Sequence, residues 1–119
     1  IGSASGMAAA AICSVRGGSK EQMGHACAMA LKNLMGLVCD PVAGLVEVPC
    51  VKRNVGGAVN ALAAADMALA GIASHIPVDQ VIDAMGEVGM KMDVSLRETS
   101  MGGVATSPKG LEIAERLGM

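Results

Sequence analysis

The run Val55-Gly-Gly-Ala-Val-Asn-Ala-Leu-Ala-Ala-Ala-Asp-Met-Ala-Leu-Ala-Gly-Ile-Ala-Ser-His75 is the most hydrophobic of the chain, and it is built on alanine. Ala, Leu and Met are good helix formers, whereas strands draw on β-branched and aromatic side chains. Asn60, Asp66 and several glycines interrupt the run, and it lacks the lipid-facing Leu and Ile of a membrane-spanning helix. It reads as a buried core helix, capped by Asn54 and reaching about Ser74. The rest of the chain agrees: 52% of its 119 residues are hydrophobic and 17% charged, yet it contains no Phe, Tyr or Trp. Such a core must be filled by Ala, Val, Leu, Ile and ten Met, with helices drawn together by Ala and Gly. One all-α domain over residues 1–119 is expected, a bundle of about five helices.

Working outward from that helix, the segment from Cys39 to Lys52 loses helical periodicity. Asp40-Pro41, Gly44 and Pro49 break it and leave a loop with a cysteine at each end, between the second and third helices. Upstream, Ser19 and Gln22 form a capping box ahead of a helix running to about Val38, with Met23, Cys27, Ala30, Leu31 and Leu34 at helical spacing. At the start, Gly2-Ser3-Ala4-Ser5-Gly6 reads as a small-residue loop entering a helix, with Ser3 or Ser5 as its cap. Downstream, Pro77 opens a helix from Val78 to Leu96. Arg97 to Thr106, with Gly102-Gly103, is a loop, and Ser107-Pro108 opens a last helix to Leu117.

The net charge of -2 and the scattering of nine basic residues leave no stripe that could follow a phosphate backbone, so nucleic acid is excluded as a partner. No signal-peptide pattern and no initiator Met precede Ile1, which leads us to expect further sequence upstream. Without a secretory signal, Cys13, Cys27, Cys39 and Cys50 fit reduced thiols or metal ligands better than disulfides. Cys13 and Cys27 fall inside apolar helical patterns and read as buried small hydrophobes.

Cys39 and Cys50 lie eleven positions apart in Cys39-Asp-Pro-Val-Ala-Gly-Leu-Val-Glu-Val-Pro-Cys50, a spacing that matches neither a zinc ribbon nor a ferredoxin. Pro41 and Pro49 stiffen the loop between them, which suits the presentation of thiolates to a cofactor. Gly2-Ser3-Ala4-Ser5-Gly6-Met7 puts hydroxyls and small residues at a helix start, where free amides and the helix dipole favour a carboxylate; N-capping accounts for the same serines. Arg53-Asn54 can bring a cation and an amide near the cysteines, or serve as a solvated side chain and a cap. His25 and His75 stand alone, and Lys91, Asp93, Arg97 and Glu98 read as a solvated helix face.

Taken in order, Gly2-Ser3-Ala4-Ser5-Gly6-Met7-Ala8, the block from Cys39 to Cys50, and Arg53-Asn54 with the alanine-rich helix after it resemble successive blocks of the iron-sulfur-dependent L-serine dehydratases. The resemblance implies a C-terminal fragment of that family's catalytic domain, a cytoplasmic lyase of serine catabolism and gluconeogenesis acting on L-serine. It implies a four-iron, four-sulfur cluster on three cysteines, with one iron open as a Lewis acid. Cys39 and Cys50 would be two ligands, and the third would lie just upstream of Ile1. Ser3, Ala4, Ser5, Gly6 and Met7 would hold the substrate carboxylate. His25 is the local candidate for the base that removes the Cα proton. An upstream domain of the same protein would complete the site, the whole would be a homodimer, and this part alone would be inactive. Two other readings stay open: a zinc module using Cys39 and Cys50 with His25 or Cys27, and an assembly domain without catalysis.

Overall fold

The computed structural model describes residues 1–119 and contains five α-helices and no strand: α1 (Gly2–Val15), α2 (Lys20–Asn33), α3 (Cys50–Leu69), α4 (Val78–Lys91) and α5 (Pro108–Arg116). Single 3₁₀ turns lie at Val42–Gly44, Val94–Leu96 and Gly103–Thr106. The all-α expectation and the helix count hold. No helix is long and apolar enough to cross a membrane.

Helices α1, α2 and α3 pack against one another around Ala9, Ala26, Ala30, Ala61, Ala64, Ala65 and Ala68, with Cys13 and Met29. The alanines set the interhelical distance, because there is no bulk between the backbones. Gly6 shows how little room remains: a Cβ there would sit 2.8 Å from Leu31 Cδ2. Buried polar groups tie the three helices together. Ser5 Oγ donates to the Gly57 carbonyl (2.7 Å), and Asn60 Nδ2 donates to Ser5 Oγ (2.9 Å) and to the Ala30 carbonyl (3.0 Å). Each of these atoms has a partner, so the hydrogen bonds offset the cost of removing them from water.

α4 lies on α2 through Val81, Ala28 and Leu31, and α5 packs only on the turns Val42–Gly44 and Gly103–Thr106. The resulting body measures 50 × 27 × 15 Å, with a radius of gyration of 16.4 Å. A compact domain of this length would have a radius of about 13–14 Å. The molecule is therefore a flat plate, and Val51, Val55, Val59 and Leu62 on α3 are all exposed.

Four helices have boundaries that differ from the expectations drawn from sequence. α1 begins at Gly2 with Ile1 as N-cap and no side-chain cap, so Ser3 and Ser5 belong to the helix and cap nothing. α2 has the expected capping box but ends at Asn33, with Gly36 at φ +81 closing the turn beyond it. α3 begins at Cys50 and ends at Leu69; Asn54 sits one turn inside it and donates to the Cys50 carbonyl (2.9 Å). α4 stops at Lys91, which leaves Asp93, Arg97 and Glu98 in a loop and not on a helix face.

Two neighbouring alanines test the close packing. Ala64 is fully buried and Ala63 is exposed. Ala64→Leu should destabilise by about 1–3 kcal/mol through overpacking. Ala63→Leu should stay within about 0.5 kcal/mol of the parent in urea unfolding.

Candidate functional site

One cavity of about 520 Å³ opens where the N-terminal ends of α1 and α3 meet. Ile1, Gly2 and Ser3 line it from α1, and Cys50, Arg53 and Asn54 from α3. Cys39 lies in its wall, with Leu34, Leu37, Val38, Val46 and Met85 giving an apolar surround. Two helix N-termini thus face one space, and each presents unpaired amides and the positive end of a dipole. The arrangement favours an anion.

The fold brings Ser3, Cys39, Cys50, Arg53 and Asn54 to the same cavity. Ala4 and Ser5 instead line an adjoining cavity of about 180 Å³ between α1 and α3. Gly6 is buried against α2, and Met7 is 72% exposed. His25 is outside both cavities; its Nδ1 accepts from the Ser74 amide at 3.2 Å and holds the connection between α3 and α4. Cys13 is buried in the alanine core and Cys27 is half-buried beside α1. No group of three or more His, Cys, Asp or Glu side chains gathers anywhere, so the combination of Cys39 and Cys50 with His25 or Cys27 around zinc is not assembled.

The cysteine loop is held largely by residues far along the chain. The Cys39 amide donates to the Leu96 carbonyl (2.9 Å), and the Glu98 amide donates to the Cys39 carbonyl (2.7 Å), an isolated parallel bridge. Ser100 Oγ donates to the Pro41 carbonyl (2.6 Å) and accepts from the Gly44 amide (3.1 Å). Within the loop, the Val42 amide donates to the Val48 carbonyl (2.9 Å). All four cysteines are free thiols.

Asp40 is 1% exposed, and both of its carboxylate oxygens are used. Oδ1 pairs with Arg53 Nη1, which also donates to the Val38 carbonyl (3.2 Å), and Oδ2 accepts from the Val104 amide (2.7 Å). Gly103 sits beside it at φ +62, where a Cβ would lie 2.1 Å from Asp40 Oδ2. Residues 94–104 were read from sequence as a helix end and a plain loop. Their role in holding Cys39 and Asp40 had one local signal, the Gly102-Gly103 pair.

Burial would raise the Asp40 pKa, but the Arg53 hydrogen bond, the Val104 amide and the Arg53 charge outweigh it and hold the carboxyl below the ordinary aspartate range. Burial pushes the Cys39 thiol up, and the nearby charges of Glu98, Cys50 and Asp40 push it the same way.

Residues 1–105 match the family described as serine dehydratase alpha chain. A probable L-serine dehydratase alpha chain of Bacillus subtilis is 62% identical over 117 residues, covering 98% of this chain and 39% of that protein. The corresponding protein of Latilactobacillus sakei is 59% identical over 113 residues, covering 95% of this chain and 54% of its own length. The L-serine dehydratase alpha chain of Peptoniphilus asaccharolyticus is 54% identical over 112 residues, covering 94% and 38%. The chain thus spans between 38% and 54% of these three curated relatives.

Two outcomes follow for Asp40. A depressed folded pKa contributes stability that is complete above the ordinary aspartate value of about 4 and is lost as pH falls through the folded value. Unfolding free energy should therefore decline below about pH 4, and less steeply in Asp40→Asn, as acid titrations followed by circular dichroism will show. Gly103→Ala should cost about 2–3 kcal/mol in urea unfolding, because the new methyl group displaces the buried carboxylate from a backbone that disfavours side chains.

Proposed function

The chain belongs to the serine dehydratase alpha chain family, and from that membership we propose that it is the cluster-binding part of a cytoplasmic enzyme converting L-serine to pyruvate and ammonia. The observation that carries this reading is the meeting of Cys39, Cys50 and the first turn of α1 around one cavity. The two free thiols at the cavity, Cys39 and Cys50, suit an iron-sulfur cluster. Thiolates are the ligands such clusters take, both cysteines are free, and the backbone of each is hydrogen-bonded in place. A third cysteine would come from residues preceding Ile1, and Ile1 lines the same cavity as Cys39 and Cys50, which supports that reading.

When bound on three thiolates, a [4Fe-4S] cluster supplies one open iron as a Lewis acid for the departing serine hydroxyl. The chain's own residues do the rest of what is assigned here. The Ser3 hydroxyl and the free amides of the first turn of α1 take the substrate carboxylate. Ala4 and Ser5 shape the adjoining space, and Gly6 lets α1 approach α2 so that this turn is held in place. Leu34, Leu37, Val38 and Val46 limit water at the reacting atoms. Elimination then needs a base for the Cα proton. His25 is already an acceptor for the Ser74 amide and lies off the cavity, which favours a base from a part of the protein outside these residues. Loss of the proton and of the hydroxyl as water leaves aminoacrylate, which tautomerises and hydrolyses to pyruvate and ammonia.

The outer face of α3 supports a partner. Val51, Val55, Val59 and Leu62 recur at helical spacing and are all exposed, a stripe that an upstream domain of the same protein would cover. Assembly as a homodimer belongs to the same reading, as does inactivity of these 119 residues alone.

Anaerobic reconstitution of the full-length protein with iron and sulfide tests the proposal. The parent should gain broad visible absorption and form pyruvate from L-serine, and Cys39→Ala and Cys50→Ala should each lose both. Variants that keep the absorption and the turnover would make the two cysteines structural. Metal binding without visible absorption would turn the reading to zinc.

A further inference from the structure

We propose that Asp40 and Arg53 form a positioning pair for Cys39, so that Arg53, although it lines the cavity, serves the thiol and not the substrate carboxylate. The inference rests on Cys39 being a ligand, and it concerns how this chain holds that residue. Arg53 Nη1 has two partners, the Val38 carbonyl and the Asp40 carboxylate, which flank Cys39 on either side in sequence. A single guanidinium nitrogen therefore fixes the chain before and after the cysteine, from a helix whose first residue is Cys50. The pair thereby ties the two cysteine positions to one rigid element. Asp40 carries the tie onward through its second oxygen to the Val104 amide, and the segment leading to Val104 also holds the Cys39 amide and carbonyl. The Arg53 side chain is 25% exposed and that of Asp40 is 2% exposed, so the ion pair is shielded on the carboxylate side and is geometrically demanding.

The alternatives differ in sign. If the pair acted on Cys39 through charge alone, removing the cation and removing the anion would change thiol reactivity in opposite directions. If it holds position, both changes free the same residue and move reactivity the same way.

The test uses the full-length protein, first metal-free and then reconstituted. In the metal-free protein, Asp40→Asn and Arg53→Ala should each raise the rate of iodoacetamide labelling at Cys39 relative to Cys50 by about tenfold, resolved by peptide mass spectrometry. The double variant should be no worse than either single, because the two residues form one unit. Arg53→Lys should recover part of the parent ratio. Met29→Ala, a core variant destabilised at a distance, should lower the melting temperature and leave the ratio unchanged. After reconstitution, Asp40→Asn and Arg53→Ala should retain several-fold less iron than the parent. Three results would overturn the inference: ratios that move oppositely in the two single variants, ratios that stay at the parent value, or an Arg53→Ala protein with full iron content, unchanged kcat and a raised KM for serine. The labelling ratio is read without iron, so it stands apart from the cluster assignment, which the alanine variants of Cys39 and Cys50 decide.

Discussion

A carboxylate excluded from water sits next to the first cysteine of the site, and the architecture around the cavity follows from the need to satisfy it. An ionised Asp40 at 1% exposure is tolerable only with its oxygens paired and hydrogen-bonded. One oxygen draws in Arg53 from α3, and the other draws in the Val104 amide, 64 residues along the chain. These two demands bring the start of α3 and the 3₁₀ turn at Gly103–Thr106 to the same place, and α5 packs there on the turns they create. The alanine core of α1, α2 and α3 is a separate solution, governed by close approach of backbones. The site lies where the two solutions meet.

The core was legible in sequence because its signals are local. Alanine-rich periodicity, the Ser19–Gln22 capping box and the Ser107-Pro108 start each depend on residues within one or two helical turns, and all three appear in the structure. The boundaries that were missed involve residues whose usual local role was overridden. Ser3 and Ser5 have the chemistry of caps, but Ser5 is needed to bond the Gly57 carbonyl inside the core, and the helix starts earlier to put it there. Asn54 looks like a cap, yet α3 already begins after Pro49, and the Asn side chain turns back to the Cys50 carbonyl.

The candidate site was legible in its cysteines and in the proximity of Arg53 and Asn54, because these lie within fifteen residues of one another in sequence. What holds them was not. The pairing of Asp40 with Arg53, and of Cys39 with Leu96 and Glu98, leaves no periodicity to find, since each contact is fixed only after the helices have packed. Arg97 and Glu98 resembled a solvated helix face for that reason. The first-turn residues of α1 were likewise grouped together as a single loop, whereas in the helix they have separate surroundings: Ser3 lines the cavity, Gly6 is buried against α2 and Met7 is exposed.

The distance in sequence between the cysteine loop and its supports also orders events during synthesis. A nascent chain that has emerged only through α3 already carries all four cysteines and the complete alanine core, but none of residues 94–104 that bond to Cys39, Asp40 and Pro41. Contacts of such long range form late, after local helices and their packing. The bundle can therefore mature while the thiol pair is still loose, and the two cysteines reach their final arrangement only once residues 94–104 have joined the fold.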